Sequence, residues 1–229
     1  MQGTTVLITG AKGGLGTHVT QAFLDSGARV GGISRSIKQG DFPSGDFVAM
    51  PAELTDGATA AALAQTVRER LGKVDVLVHL MGGFAGGKPV PQTDDQTFDQ
   101  MFDLNLRSAF YTFRSIIPLM RDAGRGRIVA IGSRAAESAA PGLAAYAAFK
   151  TALISLVKTV ASENSDRGIT ANIILPGTID TPANRSNEPD ADFSRWIQPR
   201  NIAELILWLA SDAASQVSGA VIPVYGRDV

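Results

Sequence analysis

Thr5-Val6-Leu7-Ile8-Thr9-Gly10-Ala11-Lys12-Gly13-Gly14-Leu15-Gly16 is the stretch on which the fold turns. Val6, Leu7 and Ile8 are apolar on both parities, the pattern of a strand covered on two faces. Gly10, Gly14 and Gly16 follow at Gly-x3-Gly-x-Gly spacing and lead into a helical window near 15–27. Glycines let a backbone turn sharply and approach a ligand closely, and a helix N-terminus offers unpaired N–H groups to a phosphate. The spacing is neither Gly-x-Gly-x-x-Gly nor a P-loop, so taken alone it also suits a tight turn with a helix cap. Its place directly after the first strand favours a nucleotide site.

The rest of the chain repeats the alternation. Arg29-Val30, Phe47 to Ala49, Val74 to His79, Arg127 to Ile131, Ile169 to Ile174 and Val221 to Val224 are strand candidates. Helical windows lie near 57–71, 94–120, 143–164 and 200–211, with a capping-box spacing from Thr93 to Gln96 at the start of the second. Such alternation predicts one α/β domain over residues 1–229, with a Rossmann-like, doubly wound parallel sheet of about seven strands. Asp180 to Gln198 is the least patterned stretch and is taken as a loop that shapes the substrate site. In sheets of this type ligands bind beyond the carboxyl ends of the strands.

Composition narrows the chemistry. The 229 residues carry 21 Lys plus Arg against 22 Asp plus Glu, a net charge of -1, which argues against a nucleic-acid or anionic-membrane binder. With no Cys, disulfides, thiolate metal sites and cysteine nucleophiles are excluded. His18 and His79 are too few and too far apart to suggest a metal site, and Gly132-Ser133-Arg134-Ala135 fails the Gly-x-Ser-x-Gly hydrolase elbow. No signal segment is expected at the N-terminus, and Lys150 and Lys158 interrupt the longest apolar stretch, Ala139 to Ala161. The expectation is a cytoplasmic protein without a membrane partner.

Two further loops carry chemistry. The second strand runs into Gly31-Gly32-Ile33-Ser34-Arg35-Ser36, where an NAD-type site would hold the ribose with an acid. Arg35 suits a 2′-phosphate instead, with Ser34 beside it and Lys12 as helper, so NADP is expected ahead of NAD. Tyr146 and Lys150 are four residues apart on one helix face, and Ser133 lies thirteen residues earlier in the loop after a strand. A free Tyr, with a pKa of about 10, is mostly protonated at pH 7, and a nearby ammonium favours the phenolate.

In this order and spacing the chain resembles the short-chain dehydrogenase/reductase family along nearly its whole length. The resemblance rests on Thr9-Gly10 to Gly16, Asn105 in Asp103-Leu104-Asn105-Leu106, Ser133, Tyr146-x3-Lys150, Gly168 to Asn172, and Pro176-Gly177-Thr178-Ile179-Asp180-Thr181. It implies hydride transfer between NAD(P)H and a small carbonyl or alcohol. Tyr146 would be the general acid or base, Lys150 would lower the phenol pKa and hold the nicotinamide ribose, Ser133 would orient the substrate oxygen, and Asn105 would support a water relay. Gly10, Gly14, Leu15 and Gly16 would take the pyrophosphate side, and Glu53 and Leu54 the adenine. Gly82, Pro176, Gly177, Ile179 and Thr181 would line the nicotinamide end.

Three departures from the family pattern are visible. His79-Leu80-Met81-Gly82 replaces Asn-Asn-Ala-Gly, Glu53 stands where Asp is common, and Val224-Tyr225-Gly226 lacks the usual Asp. His79 is read as structural, with a role near the nicotinamide left open. Gly82-Gly83-Phe84-Ala85-Gly86-Gly87 resembles the Gly-Gly-Trp-Ala-Gly-Gly of dihydropteridine reductases, a hint of an aromatic substrate wall at Phe84. A pteridine-type or other C=N reductase, and a silent NAD(P)-binding sensor or scaffold, are therefore the rival readings. The apolar long helices suggest a homodimer or homotetramer.

Overall fold

The computed structural model of the chain describes residues 1–54, 56–138 and 140–227. Among these residues the strands are β1 (Thr5–Thr9), β2 (Arg29–Ser34), β3 (Phe47–Pro51), β4 (Val76–His79), β5 (Gly126–Ile131), β6 (Ile169–Pro176) and β7 (Val221–Val224). They form one parallel sheet in the order β3-β2-β1-β4-β5-β6-β7. The order reverses between β1 and β4, so the crevice above those two strands is where this topology places a ligand.

The strand alternation divides the core. Leu7, Leu77, Ile128, Ala171 and Ile173 point to one face and meet Leu63 and Val67 of helix α2 (Gly57–Leu71), Phe113 and Ile116 of α4 (Ser108–Ala123), and Leu153 and Val157 of α5 (Ala144–Glu163). Val6, Ile8, Val76, Val78 and Ile174 point to the other and meet Val19 and Phe23 of α1 (Gly14–Asp25) and Ile202 and Ile206 of α7 (Pro199–Leu209). Each such buried side chain contributes about 1.5–3 kcal/mol, so apolar residues on both parities are what keep helices on both faces. Helix α5 is long and apolar enough to cross a membrane by length and composition, yet here it lies on the sheet with Lys150 buried.

Three local readings of the sequence need correction. The window 94–120 is α3 (Asp95–Phe102) joined to α4 through a π-helical turn, Asp103–Arg107, in which Ser108 N–H reaches back to Asp103 O. The cap of α3 is Asp94, whose carboxylate accepts from Thr97 N at 2.7 Å, while the Thr93 hydroxyl donates to Pro89 O. An Asp one residue nearer the helix outcompetes the Thr because its charge also meets the positive helix end. Within the expected loop 180–198 a short helix, α6 (Pro182–Asn187), forms with Thr181 as its cap and Pro182 at its first position.

The two edges of the sheet, β3 and β7, each contain a proline, Pro51 and Pro223.

Candidate active site

The glycine loop shapes the first half of the crevice. Gly10 has φ +70, in the left-handed region, and a Cβ there would come within 3.0 Å of the Leu80 and Met81 backbone. At Gly16 a Cβ would run into the Gly10 carbonyl oxygen, so this glycine is what lets α1 start so close to the loop. Gly13 caps α1 with no side-chain hydrogen bond and the first turn holds no acid, so its leading N–H groups stay available to an anion. A Cβ at Gly14 would meet Thr181 Cγ2 at 2.9 Å, which brings the expected pyrophosphate and nicotinamide segments together. These glycines and the uncapped helix end fit a dinucleotide pyrophosphate.

Gly10, Lys12, Ser34, Arg35 and Gly82 line a cleft of about 300 Å³. The Ser34 hydroxyl accepts from Lys12 N at 3.2 Å. Lys12 Nζ donates to Asp41 Oδ1 at 3.0 Å and to Ser36 O at 3.2 Å, and the bond to Lys12 holds the Asp41 carboxyl below its ordinary pKa. Arg35 Nη1 stands 3.7 Å from Glu53 Oε1. Leu54 departs from expectation: its side chain is fully buried in the core under β3 and offers no surface to an adenine. Leu15 is partly buried against the α1 side of the core, and Ile179 bridges Ile197.

Beyond the switch point, Ser133, Tyr146, Pro176 and Gly177 line a second pocket of about 340 Å³, with Phe84 and Leu143 on one wall. Ser133 ends the loop after β5 in an extended conformation, its Oγ accepting from Ala135 N at 3.2 Å. Tyr146 lies in the first turn of α5, with its ring edge-on to Phe84 at 5.1 Å. Lys150 Nζ donates to Ile131 O at 3.1 Å and is 5.9 Å from the Tyr146 ring centroid. Burial pushes the Lys150 pKa down to about 8.

The resemblance implied that Lys150 draws the phenol pKa down, and the geometry corrects this. Burial raises the Tyr146 pKa above its ordinary value, and the hydrogen bond with Ser133 opposes that rise. The Lys150 ammonium is directed at a backbone carbonyl rather than at the phenol, so desolvation dominates. At neutral pH the phenol is protonated and can give up a proton.

Asn105 lies in the π-helical turn, fully buried. Its Nδ2 donates to Met101 O and Gly83 O, both at 3.0 Å, and its Oδ1 accepts from Gly83 N at 3.2 Å. The amide thus fastens the loop after β4 to the turn. A Cβ at Gly82 would come within 3.0 Å of Asn105 Oδ1 and 3.1 Å of Lys150 Nζ, so Gly82 keeps open the space that these two polar groups share.

His79 ends β4 directly beside Thr9 of β1. Its Nδ1 is 3.0 Å from Thr9 Oγ1, which also accepts from Met81 N at 3.2 Å, and its ring meets Phe113 edge-on at 5.6 Å. Burial first, and the Lys150 charge second, lower its pKa to about 3, so the ring is neutral. This latch between Thr9 and His79 joins residues 70 apart in sequence.

Sequence reasoning also missed how the segment 180–198 is pinned. Arg185 Nε and Nη2 donate to the two oxygens of Asp180 at 2.5 and 2.8 Å, and Gln198 Nε2 donates to Asp180 Oδ2 at 2.9 Å. The bidentate bond to Arg185 lowers the Asp180 pKa to about 2. The Asp-x4-Arg spacing was the available signal, but it acquires meaning only once α6 forms.

A doubly wound sheet with an anion-receptive glycine loop and a Ser–Tyr–Lys–Asn cluster across its switch point defines a nucleotide-dependent oxidoreductase. The family model described as Enoyl-(Acyl carrier protein) reductase matches residues 10–226. The 3-oxoacyl-(acyl-carrier-protein) reductase FabG of Thermotoga maritima is 30% identical over 99% of this chain and 98% of its own length. A short-chain type dehydrogenase/reductase from Mycobacterium ulcerans superposes with TM-score 0.92 at 26% identity, covering 100% of this chain and 90% of that one. The 3-ketoacyl-(acyl-carrier-protein) reductase from Brucella melitensis, complexed with NADH, superposes with TM-score 0.89 at 26% identity, covering 100% and 99%. The chain belongs to the short-chain dehydrogenase/reductase family and is an NAD(P)-dependent oxidoreductase.

Proposed function

We propose that the protein reduces a small carbonyl compound with NADPH in the cytoplasm, with residues 1–229 acting as one catalytic unit and 180–198 as its substrate loop. The observation that carries this reading is the convergence of Ser133 and Tyr146 on one pocket, with buried Lys150 and Asn105 behind it. The dinucleotide, when bound, supplies the hydride that adds to the carbonyl carbon. Ser133 donates a hydrogen bond to the carbonyl oxygen and Tyr146 passes its proton to that oxygen, leaving the alcohol. Lys150 takes the nicotinamide ribose, and Asn105, bonded to Met101 O and Gly83, fixes the loop around Gly82 beside the Lys150 ammonium. Donors fixed beforehand around the oxygen stabilise the charge that develops there, commonly the main source of rate enhancement in such sites. Gly10, Gly14 and Gly16 hold the pyrophosphate, Lys12, Ser34 and Arg35 the 2′-phosphate, Glu53 the adenine side, and Gly82, Pro176, Gly177, Ile179 and Thr181 the nicotinamide end. Oxidation of NADPH by a panel of small ketones and aldehydes tests the reading. Dinucleotide binding without turnover of any carbonyl would point to the sensor instead.

NADPH is preferred because the end of β2 presents Arg35 rather than an acid. The Arg35–Glu53 pair is largely exposed, 76% and 55% by side chain, and such pairs are worth about 0–1 kcal/mol. A phosphate that forms charge-assisted bonds, at about 1.5–3 kcal/mol each, displaces it. Arg35→Asp is expected to weaken NADPH binding about 10- to 100-fold and leave NADH nearly unchanged, as read by fluorescence titration. Equal movement of the two affinities would remove Arg35 from the site.

The protein also works as a homodimer or homotetramer through α3 and α4, on which Phe98 and Phe110 are 49% and 47% exposed. Exposed aromatics on adjoining helices are costly in a monomer. Phe110→Glu is expected to shift the mass in solution toward the monomer. An unchanged mass would place any interface elsewhere.

A further inference from the structure

The two cations at the end of the dinucleotide cleft each face a carboxylate. Arg35 Nη1 is 3.7 Å from Glu53 Oε1, whereas Lys12 Nζ is 3.0 Å from Asp41 Oδ1 and 2.9 Å from Asp41 Oδ2. The pairs also differ in exposure: 76% and 55% for the side chains of Arg35 and Glu53, 38% and 24% for those of Lys12 and Asp41. Water and salt weaken an ion pair more as it is longer and more exposed, so Lys12–Asp41 is the stronger of the two. Lys12 is fastened elsewhere as well. Its ammonium donates to Ser36 O at 3.2 Å and its backbone N–H donates to Ser34 Oγ at 3.2 Å.

Asp41 is anchored independently of Lys12. It ends the 3-10 turn Gln39–Asp41, where its Oδ2 accepts from Lys38 N at 2.8 Å. The next residue, Phe42, is buried, with its ring 4.8 Å from that of Phe47 on β3. Among the described residues lining the cleft, Lys12 and Arg35 alone bear charge, while Asp41 borders a neighbouring recess that Lys12 also lines. Asp41 therefore engages Lys12 from outside the cleft. A phosphate monoester carries about −1.5 to −2 charges at pH 7. Arriving beside Arg35 it displaces the loose Glu53 contact, but it has to share Lys12 with a carboxylate fixed in place. A ribose with a free 2′-hydroxyl makes no such demand on the lysine.

Resting on the reading of Lys12 and Arg35 as the 2′-phosphate residues, we propose that Asp41 is a specificity-determining residue that competes with the 2′-phosphate for Lys12. Specificity is a difference between two affinities. A carboxylate that weakens the phosphorylated dinucleotide and leaves the other untouched makes the preference for NADPH smaller than two cations would otherwise give.

The test is a fluorescence titration of NADPH and of NADH into the wild type, Asp41→Asn, Lys12→Met and the double variant. Asp41→Asn removes the charge and keeps an acceptor for Lys38 N–H. It is expected to tighten NADPH by about tenfold, the low end for a charge-assisted bond because the pair is partly exposed, with NADH nearly unchanged. Lys12→Met is expected to weaken NADPH alone. In the double variant the gain from Asp41→Asn disappears, because the competition acts through the lysine. If Asp41→Asn melts early, Asp41→Ser replaces it with the same expected gain. In a variant that melts like the wild type, an unchanged NADPH-to-NADH ratio, or a weaker NADPH, overturns the proposal, as does a gain that survives Lys12→Met. The two failures are separable. Lys12→Met and Arg35→Asp that both leave the ratio unchanged refute the 2′-phosphate reading and the proposal with it. Lys12→Met that weakens NADPH while Asp41→Asn changes nothing refutes the role of Asp41 alone.

Discussion

Tyr146→Phe is expected to lower turnover by about 10²- to 10⁴-fold while dinucleotide affinity and melting temperature stay close to the wild type. The substitution removes one hydroxyl and keeps the ring that meets Phe84 edge-on at 5.1 Å, so the pocket wall survives. What disappears is the proton donor. Because burial raises the phenol pKa above its ordinary value, the wild-type group is protonated throughout the neutral range. Reduction should accordingly be insensitive to Tyr146 titration there and lose its acid only as the phenol ionises at high pH. Steady-state turnover and fluorescence titration of NADPH separate the two effects. A variant within threefold of wild-type turnover would mean that the proton comes from another group. A variant that also loses dinucleotide binding would mean that the substitution disturbed α5.

The second large effect concerns stability in acid and originates at His79. Its folded-state pKa is about 3 against an ordinary 6.5. Between those values the unfolded chain takes up a proton that the folded chain refuses, so stability is held above pH 6.5 and lost as pH falls toward 3. At about 1.4 kcal/mol per pH unit the whole window amounts to about 5 kcal/mol, a large share of the stability of an ordinary domain. His79→Asn removes the titrating group. It should cost about 1–3 kcal/mol at neutral pH through the cavity left beside Phe113, yet lose about 2–3 kcal/mol less than the wild type between pH 6.5 and 4.5. Urea unfolding at a series of pH values gives both slopes. Parallel curves for the two proteins would show that the ring titrates alike in the folded and unfolded chain.

How much of this was legible in the sequence depends on distance along the chain. The β1–glycine loop–α1 unit and the Tyr146-x3-Lys150 pair could be read because their parts are consecutive or one helical turn apart. The π-helical turn at Asp103–Arg107 could not, since the bond it makes through Asn105 reaches Gly83, 22 residues away. The pairing of Thr9 with His79 becomes readable only once β1 and β4 are known to be neighbours in register. Leu54 was misassigned for a related reason: the chain after β3 turns its side chain inward, and no local pattern announces that. The phenol pKa was misjudged because spacing gives the proximity of Lys150 but not its direction, which the Ile131 carbonyl decides. The Asp94 cap shows the opposite limit, two adjacent candidates whose ranking rests on a fraction of a turn.

The prolines in the two outer strands bear on handling rather than on chemistry. Pro51 and Pro223 each remove a backbone donor from an edge that could otherwise template another strand. In a concentrated or partly unfolded preparation, chains that collide along the margins of their sheets find that hydrogen-bond ladder interrupted. The protein should therefore tolerate high concentration and refolding with little amyloid-like deposition, and replacing both prolines by valine would give that tolerance up.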